Sequence, residues 1–284
     1  MTNTPQSVRN PHTWLIAVQG VLFIALFWPT WLWMAERFDA NDSFYGHGWL
    51  VPIAFAWLVR QRRAALNEVP HLPTTAGMSW LIGAVGVHLL AWHLRIGFVS
   101  GFAMIAVLAS LIWVNGGREA VRVLRFPLVF LIFMVPLPGV FLIAISFHMK
   151  LLAATLATHV VSWLGISAVQ AGSSIHLPGV TIIVDDVCSG LRSLMSLAAL
   201  SVLWAAFLPP SAHWWKRAVL VASALPIALT TNMVRILVLI LLAVIYGAHA
   251  AEGFIHYGSG IVVFGLAIVL LALISRLLMR KSNG

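Results

Sequence analysis

Runs of about twenty consecutive apolar residues recur along the whole chain, and they constrain its fold more than any other feature. The hydrocarbon core of a bilayer is about 30 Å thick, so a helix of about this length crosses it. Composition agrees, since 61% of the 284 residues are hydrophobic and 9% are charged. These values exclude a soluble globular protein, a disordered chain and a nucleic-acid-binding protein. We therefore predict an all-α polytopic membrane protein.

Nine apolar runs mark the candidate membrane segments, and one of them is unlike the others. The run 149–164 is short, has Lys150 at its start and carries several hydroxyl groups, which suits a helix that lies in the outer interface or dips into the membrane and out again. This interpretation leaves about eight transmembrane helices, and the alternative is a ninth span. The runs lie at 14–34, 47–60, 76–92, 96–114, 126–144, 149–164, 189–208, 218–245 and 257–278.

The positions of Lys and Arg predict the orientation of the chain. Basic residues accumulate in short cytoplasmic loops, so the formal net charge of +9 indicates topology rather than an anionic partner. With eight spans, both termini are expected in the cytoplasm and the stretch 165–188 outside. Twelve of the 17 basic residues then share the cytoplasmic side: Arg9, Arg60, Arg62, Arg63, Arg118, Arg122, Arg125, Lys216, Arg217, Arg276, Arg280 and Lys281.

The predicted outer stretch carries the signs of a short β-hairpin. Segments 170–176 and 180–184 are rich in β-branched residues, and Pro178-Gly179 between them supplies a turn. We expect this β-like segment to lead into the helix that follows Cys188.

Cys188 is the single cysteine of the chain, which excludes an intramolecular disulfide. It precedes Ser189-Gly190 and a long apolar run, so we predict that it lies at the outer N-terminus of a helix. Free amide groups and the helix dipole there stabilise a thiolate, whereas the neighbouring Asp185 and Asp186 oppose it. The alternative is a buried structural thiol. Arg192 lies one turn further on and is a candidate to support the thiolate or a substrate carbonyl.

Arg235 lies inside an apolar run, where an arginine is costly and usually functional. It is about 28 Å along a helix from Lys216, which predicts a position near the outer boundary of the membrane. Asn232 lies three residues earlier on the same helical face, so the two side chains can share a partner. The alternative is an arginine that extends to the outer headgroups, but ten further apolar residues after Arg235 disfavour it.

Two histidines are further candidates at the predicted outer ends of helices. His256 begins the last span, at the depth inferred for Cys188 and Arg235, and an imidazole transfers protons near neutral pH. His47 lies between two glycines and can approach a ligand closely, although either histidine can be a tolerated polar residue. No recognised metal-ligand spacing or phosphate-binding loop is present, so we predict neither a metal nor a cofactor.

Four short motifs resemble signatures of the exosortase/archaeosortase family. They are Val187-Cys188-Ser-Gly-Leu-Arg192-Ser-Leu, Asn232-Met-Val-Arg235-Ile, His256 followed by Gly258, and Tyr45-Gly46-His47-Gly48-Trp49-Leu-Val-Pro52. The last departs from the family pattern, because Gly46 replaces the usual serine before the histidine. The segment from Arg125 to Pro138 resembles the middle region of the family. The resemblance covers about 42–265, within a single domain at 1–284, and His256 favours the bacterial branch over the archaeal one, which has arginine there.

The resemblance implies a cysteine protease or transpeptidase of the bacterial inner membrane, with Cys188, Arg235 and His256 as catalytic residues. Arg192, Asn232, His47 and Ser189 would support the site or bind substrate. The implied substrates are exported proteins that end in a PEP-CTERM sorting signal, namely a Pro-Glu-Pro-type motif, a transmembrane helix and a basic tail. Cleavage would occur at the extracytoplasmic face, and the acyl group would pass to an amine or to water.

A different class of function remains open from the residues themselves. Arg235 and His256 would also suit a polar path in a small transporter, or the chain would be an assembly factor for exopolysaccharide export. A transporter is expected to contain two halves related by an internal repeat, and the sequence shows none.

Overall fold

The computed structural model describes residues 11–40, 43–69, 75–184, 189–209, 212–247 and 254–280. At residues 11–13, 254–257 and 280 it describes the backbone alone. The chain divides into two compact units, Met1–Arg37 with Gly48–Pro136, and Phe38–His47 with Leu137–Gly284.

The first unit consists of helices. They are α1 (Pro11–Asp39), α2 (Leu50–Gln61), α3 (Arg63–Asn67), α4 (Ala76–His93) and α5 (Gly97–Phe130). Gly117 interrupts α5 with φ 76° and ψ 179°, a backbone conformation that needs glycine. A 3₁₀ turn at Leu131–Met134 ends the unit's last helix.

Buried polar side chains join three helices of the first unit. The hydroxyl of Ser100 on α5 lies 2.6 Å from Thr30 Oγ1 on α1 and 2.9 Å from His88 Nδ1 on α4. All three side chains are buried, so each hydrogen bond spares a polar group the cost of desolvation. We interpret this triad as structural.

The second unit combines helices with a small sheet. Its helices are α6 (Gly139–Trp163), α7 (Leu191–Ala206), α8 (Trp214–Ala222), α9 (Ala224–Tyr246) and α10 (Phe254–Arg280). Strands β1 (Val169–Ala171), β2 (Ser174–Leu177) and β3 (Val180–Ile183) form an antiparallel sheet in the order β1-β2-β3. The turn at Pro178-Gly179 joins β2 to β3, and Gly179 has a φ of +81°.

The sheet packs against helices through its inner face. Ile175 on β2 and Ile236 and Ile240 on α9 belong to one buried apolar cluster, which also includes residues of α6. Val180 and Ile182 of β3 pack on the same cluster. The contact fixes the sheet beside the part of α9 that follows Arg235.

Helix boundaries in the middle of the chain differ from the sequence prediction. The predicted runs 126–144 and 149–164 are not separate elements, because the chain breaks at 135–138 and α6 then runs without interruption to Trp163. Two prolines, Pro136 and Pro138, cause the break, since proline lacks the amide that a helix interior needs. The prediction of a separate interfacial helix at 149–164 is therefore wrong, and Lys150 lies within a 25-residue helix.

Five helical segments among the described residues are long and apolar enough to cross a membrane. Helix α7 is apolar but shorter. The chain is thus a mostly helical, multi-pass membrane protein. The five segments are Trp14–Asp39, Gly97–Met134, Gly139–Trp163, Trp214–Tyr246 and Gly258–Met279.

Candidate functional site

Helix α9 buries the two polar residues that its sequence singles out. Arg235 is 8% exposed and Asn232 is 3% exposed. A charged side chain loses much of its hydration at such a position, so the protein needs specific contacts to hold it there. Because the residues are three apart, both lie on one face of α9, as predicted from their spacing. Pro226 falls in the first turn of α9, where a helix tolerates proline.

Asn232 packs directly on the turn that begins α7. Gly190 precedes the first residue of α7 and has a φ of +79°, which disfavours every residue except glycine. A Cβ atom on Gly190 would lie 3.0 Å from Cγ of Asn232, so a side chain there would displace Asn232 by a few tenths of an ångström. Both the backbone angle of Gly190 and its contact with Asn232 therefore favour glycine.

Arg235 faces the next helix in the chain. A Cβ atom on Gly260 of α10 would lie 3.8 Å from Nη1 of Arg235, so the guanidinium group lies beside the backbone of α10. Residue 256 is one turn before Gly260 on the same helix, within the part whose side chains are not described. The structure thus brings α7, α9 and α10 together around Asn232 and Arg235.

The predicted nucleophile Cys188 lies outside the described residues, as do Asp185 and Asp186. The chain is described again from Ser189, which is buried. Oγ of Ser189 accepts a hydrogen bond from the amide of Leu191 at 3.2 Å and satisfies one of the free amides at the start of α7. Helix α7 therefore begins three residues after Cys188 in the sequence.

His47 joins this region through a serine that the sequence analysis missed. Oγ of Ser196 on α7 lies 3.3 Å from Nδ1 of His47 and donates to the carbonyl of Arg192 at 3.1 Å. The tautomer of His47 decides which of Ser196 and His47 is the donor in the hydrogen bond between them. Ser196 lies one turn after Arg192, and that spacing was the available signal.

Tyr45 holds the segment that carries His47. The two rings stack with centroids 5.8 Å apart, and the phenol oxygen of Tyr45 accepts a hydrogen bond from the amide of Leu137 at 3.0 Å. Burial raises the pKa of Tyr45 above its usual value of 10.0, and the bond from Leu137 opposes this shift. Tyr45 therefore stays protonated and neutral near physiological pH.

The described side chains provide hydrogen-bond donors and a buried positive charge, which together suit a developing oxyanion. Among the described residues, no group of three or more His, Cys, Asp or Glu side chains is arranged to hold a metal ion. Ser196 contacts His47 and the backbone carbonyl of Arg192, and Asn232 contacts Gly190, so His47 and Asn232 both approach the first turns of α7.

Comparison with known protein families agrees with the motifs. The model of the transmembrane exosortase family, Exosortase_EpsH, matches residues 33–273. Neither a curated protein nor a solved structure matches the chain. The family match covers most of the sequence, including both units and every candidate site residue. The chain therefore belongs to the transmembrane exosortase family.

Proposed function

We propose that this exosortase is a cysteine peptidase or transpeptidase that cleaves exported proteins at a C-terminal PEP-CTERM sorting signal. Cys188 is the nucleophile, Arg235 stabilises the oxyanion and His256 transfers protons. The observation that carries the proposal is the position of α9, whose Asn232 contacts Gly190 while Arg235 lies beside Gly260. One helix thus contacts the segments on which the other two proposed catalytic residues lie.

Chain connectivity supports this assignment. Cys188 comes two residues before Gly190 in the sequence, and Gly190 contacts Asn232. On α10, residue 256 lies about 6 Å along the helix axis from Gly260, where Nη1 of Arg235 approaches. The three proposed catalytic residues therefore belong to segments that α9 joins.

In the first chemical step, the thiolate of Cys188 attacks the scissile carbonyl carbon and a C–S bond forms. The carbonyl oxygen becomes an anion, which Arg235 stabilises as a fixed positive charge in a site of low hydration. His256 then donates a proton to the leaving amine as the C–N bond breaks. The transmembrane helix and basic tail of the substrate leave with that amine.

In the second step, an amine or water attacks the thioester. His256 accepts a proton from the attacking group, the C–S bond breaks, and the Cys188 thiolate is restored. The product is a new amide in transfer or a carboxylate in hydrolysis. Both outcomes use the same residues and balance without a cofactor.

The site is proposed to face the exterior of the bacterial inner membrane. Lys216 on α8 and the basic residues at the C-terminus are placed in the cytoplasm by the charge rule. Arg235 lies about 28 Å further along the helical path of α8 and α9, which is close to the thickness of the hydrocarbon core.

The test uses co-expression of the chain with a secreted reporter that ends in a Pro-Glu-Pro motif, an apolar helix and a basic tail. We expect Cys188→Ala to abolish loss of the tail, and Arg235→Ala to slow it by about 10²–10³. Arg235→Lys retains the charge without the planar group and should restore part of the rate. Adding hydroxylamine to the wild type should yield a reporter hydroxamate, because hydroxylamine captures a thioester.

Matched controls are available on exposed helix surfaces. Arg276→Ala on α10 and His159→Ala on α6 remove side chains of the same types as Arg235 and His256, and both should leave processing unchanged. Undiminished processing by Cys188→Ala would overturn the proposed nucleophile. Equal losses in His159→Ala and His256→Ala would overturn the role of His256.

A further inference from the structure

Strand β3 is an edge strand, and it precedes Cys188 in the sequence. It pairs with β2 on one side, and no strand among the described residues pairs with its other side. Four residues separate its last residue, Ile183, from Cys188 in the sequence. Unpaired amide and carbonyl groups on such an edge are a template for pairing with another extended segment.

The register identifies which backbone groups of β3 are available. Val184 donates its amide to the carbonyl of Ser173 at 2.9 Å, so Val184 directs its groups toward β2. In an antiparallel pair, this direction alternates from one residue to the next. Ile182 therefore also faces β2, whereas Thr181 and Ile183 direct their amide and carbonyl groups to the free edge.

The position of β3 next to the proposed catalytic residues distinguishes it from the opposite edge of the sheet. Ile182 packs on the cluster that contains Ile236, the residue directly after Arg235 on α9. The side chains of Thr181 and Ile183 face away from that cluster and are exposed. An extended chain paired with β3 would thus lie on the edge of the sheet that is next to α9.

We propose that β3 binds the extended segment of the substrate that is cleaved, as an additional strand of the sheet. The inference rests on the proposed function and adds the way in which the substrate is held. Main-chain hydrogen bonds to Thr181 and Ile183 supply the affinity, and the strand sets which peptide bond arrives at Cys188. Recognition of this kind depends on hydrogen bonds to the substrate backbone and tolerates variation in the substrate side chains.

The first experiment removes one free-edge amide. Thr181→Pro deletes an N–H that is not used in the pairing with β2, and an edge strand tolerates proline at such a position. We expect kcat/KM for the reporter to fall about tenfold or more, mainly through KM, because strand pairing is lost before chemistry. Thr181→Ala removes the side chain and retains the amide, so it should process the reporter almost as the wild type does.

The opposite edge of the same sheet provides the matched control. Gln170 on β1 pairs with Ile175, and the alternation directs its amide away from β2. Gln170→Pro therefore removes an equivalent amide from the other edge and should leave KM unchanged. Strand docking would be overturned if Thr181→Pro and Gln170→Pro raised KM equally. It would also be overturned if Thr181→Pro processed the reporter with an unchanged KM. Failure of the wild type to process the reporter would instead count against the proposed function.

A second measurement does not depend on turnover. The variant Cys188→Ala contains no cysteine, because Cys188 is the single cysteine of the chain. One new thiol can then be introduced at Ile183, whose side chain is 59% exposed. A series of reporters then carries a single cysteine at successive positions of the extended segment. Paired strands place opposite Cα atoms about 5.5 Å apart, so the cysteine should form a disulfide with Ile183→Cys at every second reporter position. Cross-linking of equal yield at all successive positions, or from Gln170→Cys as well as Ile183→Cys, would contradict the proposal.

Discussion

The two units of the chain bury polar groups in different ways. In the first unit, Thr30, His88 and Ser100 satisfy one another across three helices. In the second unit, two buried polar residues of α9 lie against glycines of other elements, with Asn232 at Gly190 and Arg235 at Gly260. The first arrangement stabilises helix packing, whereas the second places a charged group close to the backbone of a neighbouring helix, and a charge within a membrane-spanning helix is usually functional.

The strongest test of this contrast is Gly190→Ala. The left-handed backbone costs about 1–2 kcal/mol for any residue with a Cβ atom, and crowding against Asn232 adds about 1–3 kcal/mol. We expect a large fall in the unfolding temperature in detergent and loss of reporter processing. Gly165→Ala is the control, because Gly165 has a φ of +84° and open space around it. Its unfolding temperature should therefore fall only by the amount due to the left-handed backbone.

If Gly190→Ala and Gly165→Ala lower the unfolding temperature equally, the contact between Gly190 and Asn232 contributes nothing to stability. That result would remove the structural link between α9 and the segment that carries Cys188.

A smaller effect is expected for Ser100→Ala in the first unit. The change leaves Thr30 and His88 buried without their shared partner, at a cost of about 1–3 kcal/mol in the free energy of unfolding. Ser110→Ala on the same helix is the control, since Ser110 bonds only the carbonyl of Ala106 on its own helix. Thermal unfolding measures the loss of stability in both variants. A specific loss of activity in folded Ser100→Ala protein would contradict a purely structural triad.

The smallest effect is expected for Tyr45→Phe, through loss of one hydrogen bond from Leu137, worth about 0.5–1.5 kcal/mol. Burial raises the pKa of Tyr45 in the folded state, so the folded protein retains a proton that the unfolded chain loses. This stabilisation is complete below pH 10.0, the usual value, and is lost as the pH rises through the higher folded value. Between pH 9 and 11, wild type should therefore lose stability more steeply than Tyr45→Phe; identical slopes would contradict this assignment.

The sequence predicted the membrane class and the residues of α9 because both depend on local pattern. The spacing of Asn232 and Arg235 fixes their common helix face, and the apolar runs fix the class. The helix boundaries around 135–138 were missed because Val135-Pro136-Leu137-Pro138 is as apolar as the helices beside it. Hydropathy instead fell at Lys150, which lies inside α6.

Contacts between distant segments were beyond prediction from the sequence. The spacing put Asn232 and Arg235 on one helix face, but it could not indicate that Asn232 approaches Gly190 at the start of α7 while Arg235 approaches Gly260 on α10. The link from His47 through Ser196 joins residues 149 positions apart. The sequence also indicated a hairpin at 170–176 and 180–184, whereas the structure divides the first segment into β1 and β2 at a turn where Gly172 has a φ of 63°.

The rigidity of α9 limits how this protein can vary. A rigid α-helix fixes the axial offset of Asn232 and Arg235 at about 4.5 Å. Any shift of that helix is transmitted at once to the segment after Cys188 and to α10. Variants adapted to bulkier or slimmer substrates should therefore carry their compensating changes on α7 and α10, with α9 conserved as the common spacer between them.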